Sequence, residues 1–487
     1  MNYRMIFSTV GKVLFVEAVC FVLPFLVSLC YGEFMTMLWF GVCALIALAS
    51  GFCLSFFLKP KSTAIYSKEG LITVALTWVF MSVIGAFPFV MTGAVPSYID
   101  ALFETVSGFT TTGASILTEF DPGTGYLAMD KGLLFWRSFT HWIGGMGVLV
   151  FVTAISGKSS DRQIYILKAE IPGPTMDKIV PRSRDTAKIL YLMYFGMTIV
   201  TFILLVCGGM SFFDGIIHAL GTAGTGGFGI RVDGCASYSP FCQWVIAIFM
   251  FLFGVNFNLY YLILVGKIKD VLKSSELKLY VLLVVLATAA ISINILSLYG
   301  SFGEALRHSF FQVATISSTT GFSSANFDTW PAFSKAILLF FMFTGACAGS
   351  TAGGFKLSRV MLLLKSGNRE LKKVLHPRTA SVVKADGKKV DESVISATGN
   401  YLAIYLACIL VIFLAISVDG FNVETNFTAS VSCFNNTGPG FGAVGPSGSY
   451  AGYSAFSKIV LTLGMLLGRL EIYPLLLVFI PNTWIKR

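Results

Sequence analysis

Four short stretches combine hydroxyl or amide side chains with glycine between long apolar segments: Thr110-Thr111-Thr112-Gly113, Gly224-Thr225-Gly226-Gly227-Phe228, Ser318-Thr319-Thr320-Gly321-Phe322 and Asn435-Asn436-Thr437-Gly438-Pro439. Irregular backbone at membrane depth is tolerated only where it is buried in protein or lines a wet cavity. Glycine permits the backbone angles that aim carbonyls inward. A ring of carbonyls with adjacent threonine hydroxyls can replace the water shell of a cation without a full charge that would trap it. One Thr/Gly turn is weak evidence. Four of them, with Gly113, Gly227, Gly321 and Gly438 recurring at intervals of roughly a hundred residues, imply internal duplication and a four-sided pore. The candidate coordinating residues are Thr111, Thr112, Gly113, Thr225, Gly226, Gly227, Thr319, Thr320, Gly321, Asn436, Thr437 and Gly438. The second stretch departs from the others at Gly226, where a threonine would match, so only backbone carbonyls could serve there.

The elements around these stretches must cross a bilayer. A chain of 487 residues with 55% hydrophobic and 12% charged residues, and a mean hydropathy of +0.77, is far from the globular average. The reading is an all-α polytopic membrane protein of about ten helices, by apolar runs long enough to span. Two helices open the chain, at about 10–29 and 34–58, joined by Tyr31-Gly32-Glu33. Four units of helix, short half-helix, loop and helix follow. Their segments are 71–91, 98–109 and 133–155; then 189–207, 212–220 and 241–265; then 277–298, 302–316 and an apolar stretch at 332–364; then 394–418, 423–433 and 456–480. The corresponding divisions are 1–69 for the opening pair and 70–183, 184–275, 276–391 and 392–487 for the four pore units in pseudo-fourfold arrangement. Each half-helix has an acid near its start, Asp100, Asp214, Glu304 and Glu424. Acids favour helix N-termini, so the four C-terminal ends, with their partial negative charge, should converge on the Thr/Gly stretches. That field suits a cation.

The formal net charge of +10 would suit nucleic acid, but the cations sit in alternate loops, around Lys59–Lys68, Lys158–Lys188, Lys267–Lys278 and Lys365–Lys389. This pattern is the positive-inside signature, which puts those loops and both termini in the cytoplasm and leaves the lipid bilayer, not nucleic acid, as the chain's surroundings. Most of the ten cysteines lie in apolar spans as small hydrophobes. Cys235 and Cys242 flank an outward loop and stand open between a disulfide and free thiols. There is no CxxC spacing, and the four histidines form no zinc-like cluster.

The 332–364 stretch is interrupted by Gly345-Ala346-Cys347-Ala348-Gly349-Ser350-Thr351-Ala352-Gly353-Gly354, and no other unit has a comparable interruption in sequence. Such a run is either a small-residue packing face or a flexible break. Lys356 just beyond it could place a cation at the cytoplasmic mouth. Arg137, His141, Arg469 and Glu471 lie inside helical segments, where an ionisable side chain needs a partner or a wet cavity. Arg469 lies at a depth where it could meet the 345–354 stretch or line the pore, in preference to pairing with Glu471, since residues two apart do not share a helix face. Arg137 and His141 are spaced for a mutual contact, and Glu104 is placed to satisfy backbone donors behind the first loop. Val383–Val390 reads as a hairpin with Asp386-Gly387 at its turn. No paired carboxylates, serine with a base or metal spacing emerges at membrane depth, so a polytopic membrane enzyme is the weaker reading and the chain is read as a non-enzyme.

Across its whole length the sequence resembles the Trk/Ktr/HKT superfamily of potassium transporters, closest to the TrkH-like membrane subunit of bacterial Trk systems. The resemblance rests on 103–114 with its Thr110–Gly113 stretch, His218-Ala219 ahead of Thr225–Phe228, Asn436-Thr437-Gly438-Pro439-Gly440, Leu375-His376-Pro377-Arg378 and the extra opening helix pair. It implies potassium as the transported ion, a bacterial inner-membrane location and a homodimer. It also implies that 345–354 is an intramembrane gate assisted by Arg469, and that the cytoplasmic loops dock a TrkA-like nucleotide-binding regulatory subunit. No phosphate-binding glycine motif stands in a strand–helix context here, so nucleotide is expected on that partner and not on this chain. Sodium- or proton-coupled symport of potassium is the alternative within the class.

Overall fold

The computed structural model describes residues 1–58, 67–147, 183–377 and 382–484. The expected basic loops at 59–68 and 158–188, the end of the 133–155 helix and Arg378 lie wholly or partly outside them. Six helices among the described residues are long and apolar enough to cross a membrane. Tyr3–Tyr31 and Phe34–Phe57 are the opening pair, and Lys68–Met91, Lys188–Cys207, Ser275–Asn294 and Glu392–Asp419 each begin one unit. The fold is all-α, with four helix–pore-loop–helix units, as the sequence indicates.

Each unit then turns into a pore helix: Tyr98–Phe109, Phe212–Gly224, Phe302–Ser317 and Val423–Asn435. Their starts are set by side-chain caps. Ser97, Ser211 and Ser301 accept hydrogen bonds from the N–H groups of Asp100, Asp214 and Glu304, and Asn422 accepts from Thr425. These caps satisfy donors that a helix start leaves open. The acids stay in the first turn, where the helix field favours them, and two are held by a lysine from the preceding unit in the ring: Lys458 lies 2.7 Å from Asp100, and Lys335 lies 2.8 Å from Glu424.

The second helix of every unit is short: Lys131–Gly145, Pro240–Phe253, Ala332–Thr344 and Ala455–Arg469. At 1.5 Å per residue these reach only about 20–22 Å, less than the roughly 30 Å of hydrocarbon. The expectation of continuous helices at 241–265 and 456–480, and of an interruption confined to the third unit, is therefore corrected. In the second unit Gly254, Val255 and Asn256 separate Pro240–Phe253 from Phe257–Leu264, which is bent by 90°. The freed backbone is taken up locally: the Asn256 side chain accepts from the Asn258 N–H at 2.9 Å, and the Gly254 carbonyl accepts from the Cys347 N–H at 3.1 Å. In the fourth unit Glu471 and Ile472 adopt left-handed angles of +58° and +66° before Tyr473–Phe479. What distinguishes the third unit is twelve non-helical residues at the break, 345–356, before Leu357–Leu375 resumes.

The opening pair packs against the back of the first unit. Gly11 and Gly51 bring its two helices together, since a β-carbon on Gly51 would lie 2.8 Å from the Gly11 carbonyl oxygen. The Glu33 carboxylate accepts from the Lys131 and Gly132 N–H groups at 2.6 and 3.0 Å, capping the first unit's second helix from outside that unit. Trp136 of that helix lies 4.5 Å from the Phe21 ring and donates to the Gly85 carbonyl at 3.0 Å. The Val383–Val390 hairpin forms as expected, with Lys384–Ala385 antiparallel to Lys388–Lys389 and left-handed Asp386 and Gly387 at the turn. Replacing Gly51 by leucine overpacks the pair at a cost of about 1–3 kcal/mol. The variant should therefore unfold several degrees lower in a detergent thermal melt while ion flux per folded molecule is unchanged.

Candidate functional site

All four pore helices end the same way. Within two residues of the helix end, Thr111, Thr225, Thr319 or Asn436 has a φ of +54° to +56°, and two residues later Gly113, Gly227, Gly321 or Gly438 is again at positive φ. Outside glycine this region costs about 1–2 kcal/mol per residue, and it is rarest for β-branched side chains such as threonine. Its recurrence at four matched positions marks a conformation the surrounding structure enforces. It turns the chain abruptly at the helix end, so the peptide carbonyls between the two left-handed residues leave the helical hydrogen-bond pattern.

The four glycines locate those carbonyls. A β-carbon on Gly113 would collide with the Gly226 carbonyl oxygen, and one on Gly227 with that of Thr320. One on Gly321 would lie 2.6 Å from the Thr437 oxygen, and one on Gly438 2.6 Å from that of Thr112. The sequence of contacts runs from unit one to two, three, four and back to one. The carbonyls of Thr112, Gly226, Thr320 and Thr437 thus form a closed ring, with each glycine making room for its neighbour. The outer loops close in the same order: Leu127 N–H to Ile230 O at 2.9 Å, Cys235 N–H to Ser323 O at 2.7 Å, Gly442 N–H to the Asp328 carboxylate at 3.2 Å, and Tyr450 N–H to Ser115 O at 2.9 Å.

Behind the ring the side chains are locked. Thr110 and Thr112 share a hydroxyl hydrogen bond of 2.7 Å, Ser318 and Thr320 share another of 2.7 Å, and the Asn436 amide donates to Thr112 Oγ1 at 3.0 Å. The departure at Gly226 has a steric cause. A β-carbon there would run into the His141 ring, whose Nδ1 lies 2.8 Å from the Gly108 carbonyl oxygen. Imidazole fills the space that a threonine side chain takes elsewhere. Arg137 does not meet His141; it pairs with the buried Glu104 carboxylate at 2.6 Å and lies 4.0 Å over the Phe228 ring. Glu104 also accepts from the Ile116 N–H and the Ser115 hydroxyl, both at 3.0 Å, which is the backing role expected of it. Cys235 and Cys242 are buried free thiols.

The ten residues Gly345–Gly354 fold directly under the ring. The Gly353 N–H donates to Thr319 Oγ1 at 2.7 Å, and a β-carbon on Gly353 would meet Asn435 and Asn436 of the fourth unit. Neighbours on several sides hold the loop: Cys347 N–H bonds to Gly254 O at 3.1 Å, Phe257 N–H to Gly349 O at 3.0 Å, and Ala348 N–H to the Glu276 carboxylate at 2.7 Å. Arg469 reaches the loop as anticipated, donating to the Thr351 carbonyl at 2.9 Å. It also donates to the Gly144 and Gly145 carbonyls at 2.5 and 2.9 Å, which are orphaned where the first unit's second helix ends. One guanidinium therefore joins units one, three and four. Glu471 pairs instead with Arg359, which lies 4.1 Å over the Tyr401 ring. Lys356 is buried and turned back onto the Ala352 carbonyl, so it does not present a cation at an open mouth.

Glu276 and Arg359 were not singled out from the sequence. Arg137→Met leaves the Glu104 carboxylate buried without its partner, which costs about 3–5 kcal/mol. A matching loss of unfolding free energy is expected, recovered in part by the Glu104→Gln/Arg137→Met double variant in a double-mutant cycle.

The comparisons with known proteins agree with this geometry. Residues 40–486 match the TrkH family, described as cation transport protein. The chain is 34% identical to the Trk system potassium uptake protein TrkH of Salmonella typhimurium, covering 99% of this chain and 100% of that one. It is 29% identical to the Trk system potassium uptake protein TrkG of Escherichia coli, covering 99% of each. The crystal structure of the potassium transporter TrkH from Vibrio parahaemolyticus superposes with a TM-score of 0.88 at 30% identity, covering all of both chains. A matched family over nearly the full length and a shared fold together place this chain in the TrkH family of cation transport proteins.

Proposed function

We propose that this protein carries potassium into a bacterial cell across the inner membrane, with both termini cytoplasmic. On this reading the ion passes through the ring of Thr112, Gly226, Thr320 and Thr437 carbonyls. The observation that carries it is the closed ring itself: four glycines, each barred from carrying a side chain by the next unit's carbonyl. Four carbonyl dipoles, reinforced by the C-terminal ends of four pore helices, offer a cation oxygen ligands in place of water while adding no full charge. The names of the relatives supply the identity of the ion. Residues 345–354 are the gate, since the loop is hydrogen-bonded to Thr319 beside the ring and is tied to the second and fourth units and to Glu276 by replaceable contacts. The hairpin at 383–390 and the basic cytoplasmic segments dock the nucleotide-binding partner.

Flux of potassium, rubidium and sodium into liposomes containing the purified chain tests the filter. Gly→Ser at 113, 227, 321 or 438 places a side chain both in a left-handed conformation and against a carbonyl, so each should reduce the potassium-to-sodium flux ratio by on the order of tenfold or abolish flux, as about 1.4 kcal/mol of lost site geometry would. Unchanged selectivity in all four would remove the assignment. Deleting part of 345–354 tests the gate separately: steady-state flux without the partner should rise while selectivity persists, with Arg469→Ala giving a smaller rise. A well-folded deletion that conducts no faster than the parent places the gate elsewhere.

A further inference from the structure

Two contacts lie one residue apart at the start of the helix Ser275–Asn294. The Asp386 carboxylate, at the tip of the cytoplasmic hairpin, accepts from the Ser275 N–H at 2.7 Å. The next residue, Glu276, accepts from the Ala348 N–H in the middle of the intramembrane loop at 2.7 Å. The Ser274 hydroxyl caps the same helix by accepting from Leu277 at 3.3 Å. One helix end therefore holds the hairpin on one side and the loop on the other.

The hairpin is also fixed to the loop's other flank. Leu357–Leu375 begins three residues after Gly354. Lys365 on that helix donates to the Lys384 carbonyl at 2.9 Å, and Leu362 packs with Val383 and Ile395 in a small apolar cluster. The hairpin thus grips both segments that bracket the loop, the Ser275 helix start and the Leu357 helix. A rigid two-stranded ribbon joined to both is positioned to turn a displacement at the cytoplasmic face into a displacement of Glu276.

We propose that Glu276 is the latch of the intramembrane loop, holding it under the ring through Ala348, and that the Asp386–Ser275 contact makes the latch responsive to the 383–390 hairpin. The inference rests on the reading of 345–354 as the gate. Glu276 acts through the loop and touches no ion, so it is a positioning residue. Pulling the hairpin outward withdraws Asp386 from the helix start, lets the Glu276 side chain shift and frees the Ala348 N–H. The loop then keeps its contacts to Thr319, Arg469, Lys356, the Leu357 N–H and the second-unit backbone. A partner that binds the hairpin need only move it by the length of a hydrogen bond.

The test uses the full chain in liposomes, without partner, alongside the partial loop deletion. Loss of one buried hydrogen bond shifts a two-state equilibrium by up to on the order of tenfold, so Glu276→Ala should raise basal potassium flux by about that factor. Glu276→Gln keeps an acceptor oxygen at the same reach and should return flux towards the parent value, a rescue that a general loss of packing would not give. Ser275→Pro deletes only the N–H that Asp386 uses, at a first-turn position proline tolerates. It should raise flux by a smaller factor and quicken amide hydrogen exchange across 345–354. Asp386→Ala should act likewise, with the two together no stronger than either alone. Ser275→Pro is also the deciding variant where Glu276→Ala does not fold, since its flux and exchange then stand for the latch. Parent-like flux and exchange in these variants, when the loop deletion conducts faster, overturn the latch and leave the gate standing. Parent-like flux in the deletion as well overturns both.

Discussion

The left-handed residue that ends each pore helix is the constraint on which the remaining architecture depends. A helix pointed at the centre of a bilayer must terminate there, and its last carbonyls need partners in a place with little water. Turning the chain at Thr111, Thr225, Thr319 and Asn436 releases those carbonyls from the helix. The turn is costly for a β-branched residue, so the material behind it must be stiff. That stiffness comes from the hydroxyl pairs Thr110–Thr112 and Ser318–Thr320, from Glu104 with Arg137, and from the four loop-to-loop hydrogen bonds at the outer rim. Strain at the centre is held by a closed ring of contacts around it.

Below the ring the requirements reverse. The second helices all stop short, and their orphaned backbone groups are satisfied by groups that could let go: Arg469 on Gly144, Gly145 and Thr351, Asn256 on the next helix start, Glu276 on Ala348. The outer half is therefore built from backbone held in one arrangement, and the inner half from side chains reaching across breaks. Segments whose backbone is satisfied only by a few reaching side chains open at lower free energy than packed helices.

The outer half was the more legible in the sequence for the same reason. A Thr/Gly stretch behind a capped, acid-led half-helix repeats four times, and repetition makes a weak motif readable. The breaks do not repeat in composition. Gly254-Val255-Asn256 sits in an apolar run whose single glycine is Gly254, and Ile472 adopts a left-handed angle although nothing local favours it. Hydropathy averages across such points. Pro474, two residues into the resumed helix, was the one local hint in the fourth unit. Pairings such as Arg359 with Glu471, 112 residues apart, depend on tertiary placement and leave no trace in spacing. The small-residue stretch at 345–354 was visible as a break, with Arg469 as a side chain that could meet it, but the hold of Glu276 on Ala348 was not.

The exchange of side chains at the second pore loop has a consequence for how this sequence can change. Three units place a threonine at the ring position, while the second has glycine backed by the imidazole of a neighbouring unit. Gly226 and His141 are 85 positions apart in the chain yet share one volume. Neither can be altered towards the other units' pattern alone: a threonine at 226 has nowhere to go while the imidazole stands, and shrinking the imidazole first leaves a void beside the ring. Drift towards full fourfold symmetry must pass through a damaged intermediate, so the chain's ancestry as a repeated unit is sealed off at this point. The two positions can reach that pattern only by changing together.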